Sequence, residues 1–86
     1  MLGNITSLLG FIGTLPGISP QILNSLLAKV ENAIAAYDSG NEIVAVNILN
    51  ALLKEISAQT GKTITINAAS ALTAYIENLI TYIQSN

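Results

Sequence analysis

SPQILNSLLAKVENAIAAYDSG, residues 19–40, carries both ends and the buried face of one helix. Ser19 is a good N-cap residue, because its hydroxyl can accept from an otherwise unpaired backbone N–H. Pro20 falls at the first helical position, where its missing N–H costs nothing. Ile22, Leu23, Leu26, Leu27, Val30, Ile34 and Tyr37 then recur at three- and four-residue steps and form one stripe. Gly40 is placed to take the left-handed conformation that closes a helix. The stretch predicts a main helix over 19–39.

The same grammar continues on both sides. Asn41 starts a helix over 41–60, with Ile43, Val44, Ile48, Leu49, Leu52, Leu53 and Ile56 as its face, widened by Val46, and Gly61 as its stop. Ile43-Val44 is a poor helix pair by propensity, so burial is expected to hold it. Residues 62–66 alternate Thr and Ile. A lone strand has nothing to pair with, so this stretch reads as an extended connector with one Ile plugged into the core. Thr65 or Asn67 caps a last helix over 66–84, whose stripe is Leu72, Tyr75, Ile76, Leu79, Ile80 and Ile83.

Ahead of these lies an apolar segment, residues 1–15, with Leu2, Ile5, Leu8, Leu9 and Ile12 on one helical face. It is short and contains Gly10, so it forms a helix only by docking. An apolar arm covering a neighbour's groove is the competing reading. Short connections force neighbouring helices antiparallel. The expected fold is therefore all-α, a single-domain antiparallel three-helix bundle with an additional short N-terminal helix or arm.

Composition narrows the function classes. Only three Lys and five acids are charged among 86 residues, while 51% of the chain is apolar. His, Cys, Arg and Trp are absent. No Ser or Thr has a His to serve as base. No Gly-rich turn precedes a Lys-Ser/Thr at phosphate-loop spacing. Asp38, Asn41 and Glu42 offer only a thin oxygen set for calcium. No catalytic, cofactor-binding or metal-ligating residue is assigned, and a non-enzymatic role is expected. A net charge of −2 lacks the basic stripe that nucleic acid requires. It also lacks the cationic face of a membrane-surface helix. No run approaches the ~18–20 apolar residues of a membrane span.

The polar surface is instead neutral, with nine Asn, three Gln and many Ser and Thr. Few groups titrate and few ion pairs can be screened by salt. That suits an extracellular, cell-surface or virion setting. Asn4-Ile5-Thr6 forms an N-glycosylation sequon that matters only in an exported chain. The N-terminal stretch lacks the positive start and small-residue cleavage site of a signal peptide.

The helices carry more apolar positions than one small core is expected to hide. Spare area of this kind marks interfaces. The candidate interface residues are Leu2, Ile5, Leu8, Leu9, Phe11, Ile12, Ile43, Val46, Tyr75 and Tyr82. The expected role is a self-assembling structural module, with a homo-oligomer or another protein as partner. The alternative is an accessory module that binds glycan by stacking on Tyr75 and Tyr82, seven residues apart on one side of the last helix.

A longer pattern runs from Leu15-Pro16-Gly17-Ile18 through Ser25-Leu26-Leu27-Ala28-Lys29-Val30-Glu31-Asn32-Ala33 and Ser39-Gly40-Asn41. It continues in Leu49-Asn50-Ala51-Leu52-Leu53, Ile56, Ala58-Gln59-Thr60-Gly61-Lys62, Ile64, Ala69, Leu72 and Ile76. Over about the last four-fifths of the chain this resembles the FIMAH domain, a small all-helical module of large secreted or surface proteins of bacteria and archaea. The resemblance implies an extracellular accessory or attachment role and supplies no catalytic residue. Its pattern favours an aromatic near Leu52-Leu53, where this chain has two aliphatic residues.

Overall fold

The computed structural model describes residues 5–85. Four helices follow in order: α1 (Ser7–Thr14), α2 (Pro20–Asp38), α3 (Glu42–Gln59) and α4 (Ile66–Gln84). The fold is an all-α bundle of three long helices with a short fourth. Asn41 caps α3 by accepting from the Val44 N–H at 3.4 Å, and Thr65 caps α4 by accepting from the Ala68 N–H at 3.1 Å. Gly40 and Gly61 take positive φ at the two helix stops. Ser19 sits at the N-cap of α2, but its hydroxyl makes no capping bond. Its backbone holds it instead: its N–H donates to the Thr63 carbonyl at 2.8 Å, and its carbonyl accepts from Leu23 N–H at 3.0 Å.

The helices pack in a ring. α3 lies against α2 and α4, and α1 lies against α2 and α4 on the other side. The backbones of α2 and α4 do not approach each other closely, so α1 fills the corner between them. This corrects the arm reading. Ile5, Leu8 and Ile12 are buried in the same core as Leu26, Leu49, Leu52, Ile56, Leu72 and Ile76. They belong to the chain's own interior rather than to a free surface, because α1 supplies the fourth wall that three helices leave open.

A small pairing fixes the ends. The 60–65 connector carries no regular strand, but Ile18 and Ile64 form an isolated antiparallel bridge. Thr65 N–H donates to the Gly17 carbonyl at 2.9 Å and completes that bridge with the Ser19–Thr63 bond. Ile64 is fully buried as the plug. Gln59 shapes the connector: its carbonyl accepts from Lys62 and Ile64 N–H, and its side-chain oxygen accepts from the Thr63 hydroxyl at 2.8 Å.

The solvent-accessible surface is 4840 Å². A self-contained monomer of 9.0 kDa exposes about 4,850 Å². The total surface is thus that of an ordinary monomer of this mass, and Leu8 and Ile12 of α1 belong to its buried core.

Candidate interaction surface

Four large apolar side chains remain exposed among the described residues: Ile43, Ile66, Val44 and Tyr82. Ile43 is 77% exposed and Ile66 70%, values that leave each side chain almost wholly in water. The reason for Ile43 lies in helix geometry. A step of about 3.6 residues back along the buried line of Ile56, Leu52 and Leu49 lands on Ala45, not on Ile43. Ala45 and Val46 are accordingly buried, and Ile43-Val44 turns outward. Burial therefore does not hold Ile43-Val44 in the helix; the Asn41 cap and Glu42 in the first turn favour it there. Val46 belongs to the core rather than to the interface set.

Ile66 was not anticipated as exposed. It is the first residue of α4, directly after the Thr65 cap. Ile64 has already filled the core position, and a step of about 3.6 residues back along the buried line of Ile76, Leu72 and Ala68 lands between Ile64 and Thr65, so Ile66 falls off that stripe.

Two shallow grooves accompany these residues, both between α3 and α4. One, of about 370 Å³, is lined by Glu42, Ile43, Val46, Asn47, Ile83 and Gln84. It joins the first turn of α3 to the last turn of α4. The other, of about 530 Å³, runs from Ile66 past Leu53, Ala69 and Thr73 to Glu77. Both are open and neither encloses a ligand-sized cavity.

The aromatic candidates separate. Tyr75 stacks on Phe11 with ring centroids 4.5 Å apart and planes 22° apart, so this contact joins α4 to α1. Phe11, Tyr75 and Leu9 are half-buried against the core. Tyr82 is 38% exposed on the last turn of α4. Leu2 and the sequon residue Asn4 lie outside the described residues.

No polar or charged side chain is buried among the described residues. A carboxylate held in an apolar pocket, as general-acid chemistry requires, is therefore absent from them. No three acids among them come together as a group able to hold a metal ion. No helix among them is long and apolar enough to cross a membrane.

One polar constellation escaped the sequence reading. Lys29 of α2 pairs with Glu55 of α3, and Glu55 also accepts from the Ser25 hydroxyl at 3.1 Å. Ser25 and Lys29 share a face of α2 at i, i+4, but their partner is 26 residues beyond Lys29, where spacing gives no signal. With the Lys29 side chain 40% exposed, solvent screens the pair. A double-mutant cycle of Lys29→Met and Glu55→Gln in urea is expected to give a coupling below about 1 kcal/mol. A coupling of several kcal/mol would make the pair a principal clamp between α2 and α3.

Comparison with known proteins finds no matching family model, no matching curated protein and no matching solved structure. The FIMAH resemblance thus rests on the sequence pattern alone.

Proposed function

We propose that the chain is a non-catalytic structural module that assembles with further copies of itself, as a filament, coat or surface-layer subunit. The observation that supports this most is the exposure of Ile43 and Ile66 on a molecule whose other large aliphatic side chains are mostly buried or half-buried. Scattered apolar residues are ordinary on a protein surface. These two differ in being large, nearly fully exposed and each beside a groove. The absence of His and Cys from the sequence, together with a described core free of polar groups, supports the non-catalytic part. The neutral polar surface and the FIMAH resemblance support an extracellular, cell-surface or virion setting. The glycan-binding alternative is weaker, because Phe11 stacks on the Tyr75 ring and leaves Tyr82 as the more exposed member of that pair.

Light scattering coupled to size exclusion, from about 10 µM to about 1 mM, tests the reading. These concentrations suit an interface below standard size. The apparent mass is expected to climb above 9.0 kDa with concentration. Burying an Ile is worth about 1.5–3 kcal/mol. The double variant Ile43→Glu/Ile66→Lys should therefore raise the concentration needed for association by at least about tenfold. One 9 kDa species throughout the wild-type series would sink the reading.

A further inference from the structure

From the placement of charge along the bundle, we infer that copies of this chain associate head to tail, the acidic pole of one against the basic pole of the next; this rests on the self-assembly just proposed. The two poles follow from the topology. The turn at 39–41 joins α2 to α3, and the first groove brings the last turn of α4 beside the first turn of α3. That pole carries Ile43, Val44 and Tyr82. The 60–65 connector and its bridge to Ile18 form the opposite pole, which carries Ile66.

Charge divides along the same axis. Lys29 and Glu55 neutralise each other midway along α2 and in the far half of α3. The remaining acids are Glu31, Asp38, Glu42 and Glu77. Asp38 and Glu42 flank the 39–41 turn, while Glu31 and Glu77 lie near the middle of α2 and α4, Glu77 at the far end of the Ile66 groove. The remaining lysines are Lys54, in the half of α3 nearer the connector, and Lys62, in the connector itself. All six are exposed. One pole thus carries Asp38 and Glu42 with the exposed Ile43, and the other carries Lys62, with Lys54 behind it, and the exposed Ile66.

Like poles repel and unlike poles attract, so the field selects a heterologous contact over a two-fold one. The poles lie at opposite ends of a body 34 Å long. Contacts so placed propagate into an open chain rather than closing into a ring. The cross-section of 21 × 19 Å limits burial to roughly 300–400 Å² on each copy, below the ~800 Å² of a standard interface. Association is therefore weak and salt-sensitive, since the Debye length falls from about 30 Å at 0.01 M to about 3 Å at 1 M ionic strength.

Two variants, each spoiling one pole, decide the matter. Ile43→Glu keeps the acidic pole acidic, and Ile66→Lys keeps the basic pole basic. Both sites are too exposed for either change to disturb the core. Light scattering at about 1 mM and low salt is expected to find each variant monomeric alone. An equimolar mixture should give a 1:1 dimer and nothing larger, because one intact head meets one intact tail. If one variant alone associates as wild type does, the contact is two-fold through the other pole and the head-to-tail inference fails while self-assembly stands. If the mixture stays monomeric, or both variants associate normally, the inference fails as well. If wild type itself stays monomeric, the underlying proposal fails with it.

Discussion

Replacing Leu8 with alanine is expected to lower the unfolding free energy by about 2–5 kcal/mol. Leu8 is wholly buried on α1, in the corner between α2 and α4. Its removal takes away the transfer energy of the lost methyl groups and leaves a cavity. That cavity has walls that cannot easily collapse, because α2 and α4 are each held against α3 on the far side. A domain of this size has about 4–13 kcal/mol in total. At the low end of that range the variant sits near its folding threshold at 25 °C, and at the high end it keeps several kcal/mol. Urea unfolding followed by far-ultraviolet circular dichroism checks this through the midpoint, with the slope unchanged if α1 unfolds with the rest. An α1 that merely rested on the surface as an arm would give a change within about 0.5 kcal/mol. Amide exchange gives a second readout: the α1 amides are expected to exchange only on global unfolding.

The long helices were legible because their signals are local and agree with one another. Pro20, Asn41, Thr65, Gly40 and Gly61 mark ends, and the stripes between them have one period. What the sequence concealed depends on distance or on phase. Nothing near Ile5, Leu8 and Ile12 says that three other helices leave a vacant corner, so an apolar short segment looks the same whether it docks at home or on a neighbour. Ile43-Val44 has the apolar identity of a buried face, but the stripe followed back from Ile56 passes through Ala45 instead. The Ile18–Ile64 bridge and the Lys29–Glu55 pair join residues far apart in the chain, and only the fold brings them together. Of the candidate interface residues, Ile43 and Tyr82 are exposed while Ile5, Leu8, Ile12 and Val46 lie in the core, and no local signal marks Ile66 as exposed.

Gly17 offers the second large effect, and it tests whether the closing bridge matters to the whole fold. Its φ is +94°, which L side chains rarely adopt, so alanine there carries about 1–2 kcal/mol of backbone strain. The added Cβ would also lie 2.4 Å from Thr65 Oγ1, with Ala68 Cβ 3.3 Å away. Thr65 has little room to yield. Its Oγ1 caps α4 at the Ala68 N–H, and its own N–H donates to the Gly17 carbonyl. Relieving the clash breaks the cap, worth about 1 kcal/mol, and strains the bridge, worth about another. Gly17→Ala is therefore expected to cost about 3–4 kcal/mol. Gly40→Ala and Gly61→Ala serve as controls: they share positive φ but meet open space, so each should cost only the strain of about 1–2 kcal/mol. The double variant Gly17→Ala/Thr65→Ala removes the colliding oxygen and should lose less than the two single changes added together. Equal costs at all three glycines, or strict additivity in the double variant, would mean that the contact between Gly17 and Thr65 contributes nothing beyond backbone strain.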